Sequence, residues 1–329
     1  MLMLKKISLI CVLFCLVISL PAQDLRFHHG QFKIVQFTDM HYVYNDARSD
    51  TALLLIERVL DQEKPQLVVF TGDIVTGPVH KGWQSLTQSV ITRKIPFAVT
   101  LGNHDHEQGV TREEIARIIT SLPYNMNSFS TVVTGRVMDN VIPIYEGPDD
   151  LTVSGLIYCF DSGAYSTLDG VKGYGWITTD QIEWYKKQSL MHTVTNNLRP
   201  LPALAFFHIP LPEYRLAFND KKNIRYGERK ENECAPGLNS GMFLAMREMG
   251  DIMGTFTGHD HVNNYVVNYY DVALAYGCFS GWKTTYTPAM NGTRVIVMKK
   301  DKREFDTWLH LLDGTIRDKV TFPDSFKVK

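Results

Sequence analysis

The chain has 329 residues, 44% hydrophobic and 21% charged, and 34 Lys and Arg against 35 Asp and Glu leave a formal charge of −1. That apolar content can supply a sizeable core, and a near-neutral balance with no basic run argues against nucleic acid as the main partner. No internal repeat, low-complexity tract or long linker interrupts it, so one domain over 23–329 is expected after a leader.

The leader, residues 1–22, reads as a secretory signal peptide: Lys5 and Lys6, an apolar run from Ile7 to Leu20, then Pro21-Ala22-Gln23 around the cut. The run is short for a transmembrane span, and no transmembrane helix is expected once it is removed. Periplasmic or secreted localisation follows, with cell-surface attachment and oligomeric state left open. Export leaves Cys159, Cys234 and Cys278, an odd number whose spacing matches no metal knuckle. They are expected to be mostly buried small residues, with any disulfide unassigned.

Strand-like and helix-like runs then alternate. Phe32 to Phe37 reads as a strand, Thr51 to Leu60 as a helix, and Leu67 to Phe70 as a strand buried on both faces. A helix near Trp83 to Thr92 and a strand from Phe97 to Leu101 complete a β-α-β-α-β order, which argues for a largely parallel sheet with covering helices. Thr111 to Ile119 is a helix opened by a Thr111–Glu114 capping box. Met126 to Val171, rich in Thr, Val, Ile, Tyr and Gly, reads as hairpins. Thr178 to Leu190 returns to helix, Leu204 to Phe207 to strand, and Gly241 to Met249 is a helix closed by Gly250. Ile252 to Thr257 is strand-like, and Tyr265–Tyr269, Val272–Ala275 and Thr293–Met298 look like a closing antiparallel set. The picture is α/β: two sheets face to face with helices outside.

Five of these strand ends are followed at once by metal-ligand residue types: Asp39 and His41; Asp73; Asn103, His104 and Asp105; His208; and His259, Asp260 and His261. Each alone has an ordinary explanation. Asp73 after Gly72 could cap a turn, Gly102-Asn103 is common turn chemistry, and a lone His208 could be a bonded core histidine. Five recurrences at the same end of strands are hard to explain that way, because ligands gather beyond the carboxyl ends of covered sheets. Imidazoles and carboxylates without thiolates suit Zn, Fe or Mn. Two such ions need a bridging carboxylate, and together they can clamp the oxygens of an in-line phosphoryl displacement.

The series Asp39-x-His41, Gly72-Asp73, Gly102-Asn103-His104-Asp105, His208 and Gly258-His259-x-His261 resembles the calcineurin-like metallophosphoesterases over about residues 32 to 262. Phe207-His208-Ile209-Pro210-Leu211-Pro212-Glu213 and Asn239-Ser240-Gly241 are similar to a purple-acid-phosphatase-like branch. The resemblance implies a four-layer αββα sandwich and two divalent or trivalent ions (Fe, Mn or Zn). It implies Asp39, His41, Asp73 and His261 on the first ion, and Asp73 again, Asn103, His208 and His259 on the second. It also implies that His104 contacts phosphate and helps the leaving oxygen depart, with Asp105 orienting it. Purple acid phosphatases carry an iron-ligating tyrosine three residues after the bridging aspartate; here Thr76 stands there, so a colourless enzyme is expected.

Residues that could line the mouth are His80, His106, Glu107, Tyr214, Arg215, Tyr226 and Trp282, with His106, Tyr214 and Arg215 taken as substrate contacts. The Leu211–Leu238 loop is either a specificity loop or a solvated surface. Trp176, Trp184, Trp282 and Trp308 are expected in the core. The function expected is an exported dinuclear phosphoesterase that hydrolyses small phosphate monoesters by attack of hydroxide held between the ions. Phosphodiesterase or nucleotidase action on the same core is the alternative. A non-catalytic binding protein would predict a broken ligand block, and none is broken.

Overall fold

The computed structural model describes residues 24–129, 134–147, 149–286 and 290–327; the predicted signal peptide lies outside them. The chain runs through β1 (Leu25–Arg26), β2 (Gln31–Phe37), α1 (Asp50–Glu63), β3 (Leu67–Thr71), α2 (Val79–Thr92), β4 (Phe97–Thr100) and α3 (Arg112–Thr120). It continues through β5 (Asn140–Gly147), β6 (Asp150–Cys159), α4 (Thr179–Thr195), β7 (Ala203–Phe206), α5 (Glu213–Asn219), β8 (Arg225–Tyr226) and α6 (Met242–Met249). It closes with β9 (Ile252–Thr257), β10 (Val266–Tyr269), β11 (Val272–Tyr276), β12 (Gly292–Lys299), β13 (Phe305–Leu311) and β14 (Ile316–Phe322).

One sheet has the order β14-β13-β12-β2-β3-β4 and the other β1-β5-β6-β7-β9-β11-β10-β8. Both are mixed: β2, β3 and β4 are parallel while β12 is antiparallel to β2, and β6, β7, β9 and β11 are parallel while β5 is antiparallel to β6.

Side chains that alternate along each strand sort the apolar residues into layers. Val68 and Phe70 of β3 point outward to Leu55, Val59, Trp83 and Ile115 on α1, α2 and α3. Leu67 and Val69 point inward, where they join Phe32, Ile157, Leu204, Phe206 and Phe256 between the sheets. On the far side, Tyr158, Ala203 and Ala205 meet Tyr185, Tyr214 and Met246 of α4, α5 and α6. This is the expected αββα sandwich. Each fully buried aromatic or aliphatic side chain contributes about 1.5–3 kcal/mol, enough for these three layers to lock the strand ends.

Helix α3 has Thr111 as its cap: Glu114 N–H donates to Thr111 Oγ1 at 3.2 Å and Thr111 N–H to Glu114 Oε2 at 2.9 Å. Thr178 and Gln181 repeat this box at α4, and Gly250, at φ 73°, closes α6 in the left-handed region only glycine enters freely. Four readings change. The hairpin expected between Met126 and Val171 exists as β5–β6, but β6 goes on to pair in parallel with β7 as an interior strand. The closing antiparallel set is split: β10 and β11 belong to the larger sheet, while β12 joins β2 in the smaller. Strands β13 and β14 were not read from the sequence. Trp308 is buried as expected, but Trp176, Trp184 and Trp282 are half-buried.

The described cysteines are free thiols: Cys159 and Cys278 are buried and Cys234 is exposed. No described helix is long and apolar enough to cross a membrane.

Candidate metal centre

Strands β2, β3 and β4 lie side by side in one sheet, β7 and β9 side by side in the other, and their carboxyl ends face one cleft. The loops leaving them are laced by backbone hydrogen bonds: Asp39 N–H to Gly72 O, His41 N–H to Asp73 O, and Gly258 N–H to His208 O. Asp39, His41, Asp73 and His259 have φ of 52°, 44°, 53° and 80°. Left-handed non-glycine backbone is uncommon, and its concentration on four expected ligands matches the clustering of strain at functional sites. At Gly258 a Cβ would lie 1.9 Å from Thr38 Oγ1 and 2.6 Å from Asp39 Oδ2, so the turn carrying His259 and His261 can approach Asp39 only without a side chain there.

The ligand atoms assemble in two groups that could each hold a metal ion: Asp39, His41 and His261, and Asp73, His208 and His259. In the first, His41 Nε2 is 3.2 Å from His261 Nε2, which lies 3.6 Å from Asp39 Oδ1. In the second, His208 Nε2 is 3.1 Å from Asp73 Oδ2, 3.2 Å from Asn103 Oδ1 and 3.3 Å from His259 Nδ1. All seven expected ligands are therefore brought together and buried.

The electrostatics fit a cation. Burial pushes the His41 imidazole down to about 4 and those of His259 and His261 down to about 3, which leaves neutral lone pairs. Burial also pushes the Asp39 carboxyl up to about 7. His208 goes the other way: burial opposes its charge, yet the Asp73 carboxylate raises it to about 9. Asp73 is correspondingly held well below the usual carboxylate range, His208 outweighing its burial. The Thr71 carbonyl lies 2.8 Å from His208 Nδ1 and takes a proton there, so Nε2 faces three electron-rich atoms. The proton that Asp73 holds on His208 Nε2 is the positive charge this buried cluster carries, and it stands where a metal ion could replace it.

A further group, Cys234, His259 and Asp260, has donor atoms within 4.8 Å of one another. Desolvation of the sulfur and the Asp260 carboxylate push the Cys234 thiol up to about 12, which makes it a poor ligand. Asp260 is instead a clasp, accepting from Cys234 N–H at 3.1 Å and from the Tyr276 hydroxyl.

His104 lies beside the first group, its ring 5.5 Å from that of His41, and its Nδ1 is 2.7 Å from Glu107 Oε2. The expectation that Asp105 orients His104 is corrected. The Asp105 carboxylate accepts from the N–H groups of Asp73 and Ile74 at 2.9 Å, Gly102 at 2.7 Å and Val75 at 3.2 Å, so it ties the Asn103 loop to the Asp73 loop. Glu107 holds the imidazole. The assignment of Tyr214 to substrate is likewise wrong: it is fully buried under the larger sheet, its hydroxyl 2.8 Å from Thr255 Oγ1. It is the second residue of α5, in a stretch expected to be loop. Arg215, on the outward side of α5, is half-exposed and donates to Glu233 O at 2.7 Å. His106 is half-buried, and its buried Nδ1 has no partner among the described residues. Tyr226 donates to Ser325 O, and Trp282 borders a surface cavity with Arg58 and Lys230.

Tyr42, next to His41, pairs its hydroxyl with Ser85 of α2, away from the ligands. The 211–238 segment is pinned down: Asn263 Oδ1 accepts from Lys230 N–H, Asn264 Oδ1 from Glu228 N–H, and Glu231 Oε1 from Val262 N–H. Sequence reading missed three aromatics at the rim. Tyr286 stacks on His261 with centroids 4.0 Å apart, Tyr174 sets its ring 4.2 Å from that of His259, and Tyr165 stacks on Tyr174 at 5.7 Å. Tyr165 and Tyr174 follow β6, another strand ending at this edge, and Tyr286 follows β11.

The chain belongs to the calcineurin-like phosphoesterase family, whose sequence model matches residues 32–263. It is 33% identical over 336 residues to an Arabidopsis thaliana protein named probable inactive purple acid phosphatase 29, across 90% of this chain and 85% of that one. It is 35% identical over 268 residues to the Saccharomyces cerevisiae phosphatase DCR2, across 72% of this chain and 45% of the yeast protein. In three dimensions it resembles a dimetal phosphatase from Danio rerio (TM-score 0.58, 11% identity, 88% of this chain and 98% of that one), a likeness of fold alone.

Proposed function

We propose that the chain is an exported, dinuclear metal-dependent phosphatase acting on small phosphate monoesters. The observation that carries this reading is the meeting of all seven ligand side chains in two adjoining buried groups, with His104 held beside them. Asp39, His41 and His261 would hold one ion, and Asn103, His208 and His259 the other, with Asp73 between them. Imidazole and carboxylate donors suit Fe, Mn or Zn. When bound, the ions supply an acidified water and positive charge for the phosphoryl oxygens.

The chain does the rest. Glu107 fixes the His104 ring through Nδ1. His104 Nε2 is then free to give a proton to the departing oxygen. Thr76, in place of an iron-ligating tyrosine, supports a colourless centre, and the neutral overall charge supports a small-molecule substrate rather than nucleic acid. The Arabidopsis relative's name includes the word inactive; the unbroken ligand set supports activity here.

The test is hydrolysis of an aryl phosphate monoester against the matching bis-aryl diester by metal-stripped protein restored with Mn, Zn or Fe. Monoester turnover that chelation abolishes, and that Asp73→Asn lacks, is the expected result. Diester preference would move the assignment to phosphodiesterase, and no turnover with any metal would leave a non-catalytic binding protein.

A further inference from the structure

We infer that Tyr165 and Tyr174 form a leaving-group platform, which makes the substrate a phosphate ester of a flat, ring-bearing alcohol such as an aryl or nucleoside monophosphate. This rests on the phosphoesterase reading and deepens it. His104 is the group placed to serve the departing oxygen, so whatever that oxygen is attached to must extend over the rim beside His104. That rim is built by two residues. Glu107 holds His104 Nδ1 with Oε2, and its other oxygen, Oε1, accepts from the Tyr165 hydroxyl at 3.3 Å.

The same hydroxyl accepts from Asn103 Nδ2 at 3.4 Å, which turns Asn103 Oδ1 toward His208 and the second ligand group. Tyr165 is thereby anchored at its tip to both sides of the reaction centre, while the residue remains 48% exposed. Its ring lies at 25° to that of Tyr174, and Tyr174 is braced at 85° against the ligand His259. A large aromatic left half-exposed beside buried ligands, and fixed rather than folded into the core, is a surface for a planar group to stack upon. The loop that carries it is fixed as well: Asp161, just after β6, is paired with Arg112, which also donates to Gly102 O at 2.6 Å. Platform and metal loop are thus held in one frame.

The test uses metal-restored protein and two readouts. The first is the ratio of kcat/KM for phenyl phosphate to that for glycerol phosphate. It should fall about tenfold in Tyr165→Ala, at the lower end of what removing one stacked aromatic does to base binding, and stay within about twofold in Tyr165→Phe, which keeps the ring. Tyr174→Ala should lower it as well. The second is calorimetric binding of phenylphosphonate against ethylphosphonate, which needs no turnover. Preference for the phenyl compound that Tyr165→Ala abolishes supports the platform even if the protein hydrolyses nothing, an outcome that would sink the phosphatase reading alone. An unchanged ratio in Tyr165→Ala, equal binding of the two phosphonates, or binding of neither overturns the platform.

Discussion

Gly102→Ala offers a direct test of where the bridging carboxylate sits. Residue 102 does not adopt the left-handed backbone that resists alanine, so the substitution acts through space alone. A Cβ there would lie 2.1 Å from Asp73 Oδ1 and 2.4 Å from Asp73 N. To reach an ordinary contact the carboxylate must retreat by roughly 1 Å, since atoms cannot share that space. Asp73 Oδ1 also accepts from His104 N–H at 2.7 Å, so the retreat disturbs the His104 loop too. Displacing a ligand by that much is on the scale of losing an outer hydrogen-bond partner, about 10–100-fold in metal affinity, or roughly 1.4–2.7 kcal/mol. Overpacking adds about 1–3 kcal/mol of lost stability. The assay is competition of Mn or Zn with a chelator, with far-UV circular dichroism to confirm folding. Gly147→Ala is the control, because a Cβ there meets nothing within 4 Å. Two ions bound by Gly102→Ala at unchanged affinity would refute the placement of Asp73.

Glu107→Gln should slow alkyl phosphates about tenfold more than nitrophenyl phosphate, because a good leaving group needs little help from an oriented His104; equal slowing would remove His104 from the leaving-group step. Arg112→Ala leaves the buried Asp161 carboxylate without its guanidinium and should cost about 3 kcal/mol, read from urea unfolding, with partial rescue by Arg112→Lys. An unchanged midpoint would mean that the charge of Arg136, which also lowers the Asp161 carboxyl, suffices alone. Glu63 accepts from Lys33 Nζ, Trp308 Nε1 and His310 Nδ1, and these bonds outweigh its burial and hold its carboxyl down to about 2. A carboxyl depressed on folding stabilises the protein above its unfolded pKa, and that contribution is lost as pH falls from about 4.5 toward 2. Glu63→Gln should therefore be less stable than the parent at pH 7, with the gap in denaturation midpoint closing below pH 4.5; a gap independent of pH would show that the charge is irrelevant.

The local readings that held depended on residues near one another in sequence. A strand buried on both faces announces itself as Leu67 to Phe70, and the capping box at Thr111 is complete within four residues. The readings that failed depended on distant partners. Tyr214 is polar at one end and apolar over most of its surface, and only the packing of α5 against β9 and β11 decides that its hydroxyl meets Thr255 rather than a substrate. Asp105 adjoins His104 in sequence, yet the Asp73 loop, more than 30 residues away, claims its carboxylate. Glu107 could be named as a mouth residue, but not as the partner of His104.

By itself, the sequence placed metal-ligand residue types after five strand ends, and its resemblance to the calcineurin-like metallophosphoesterases implied that Asp39, His41, Asp73, Asn103, His208, His259 and His261 among them are the ligands. Only the tertiary structure decided how β2, β3 and β4 of one sheet face β7 and β9 of the other. That meeting sets which ligands share a group, which neighbour each imidazole leans on, and which aromatics border the cleft. Tyr165, Tyr174 and Tyr286 have no periodicity or motif to mark them, since a loop's place at a rim is fixed by the strands beneath it and not by its own residues.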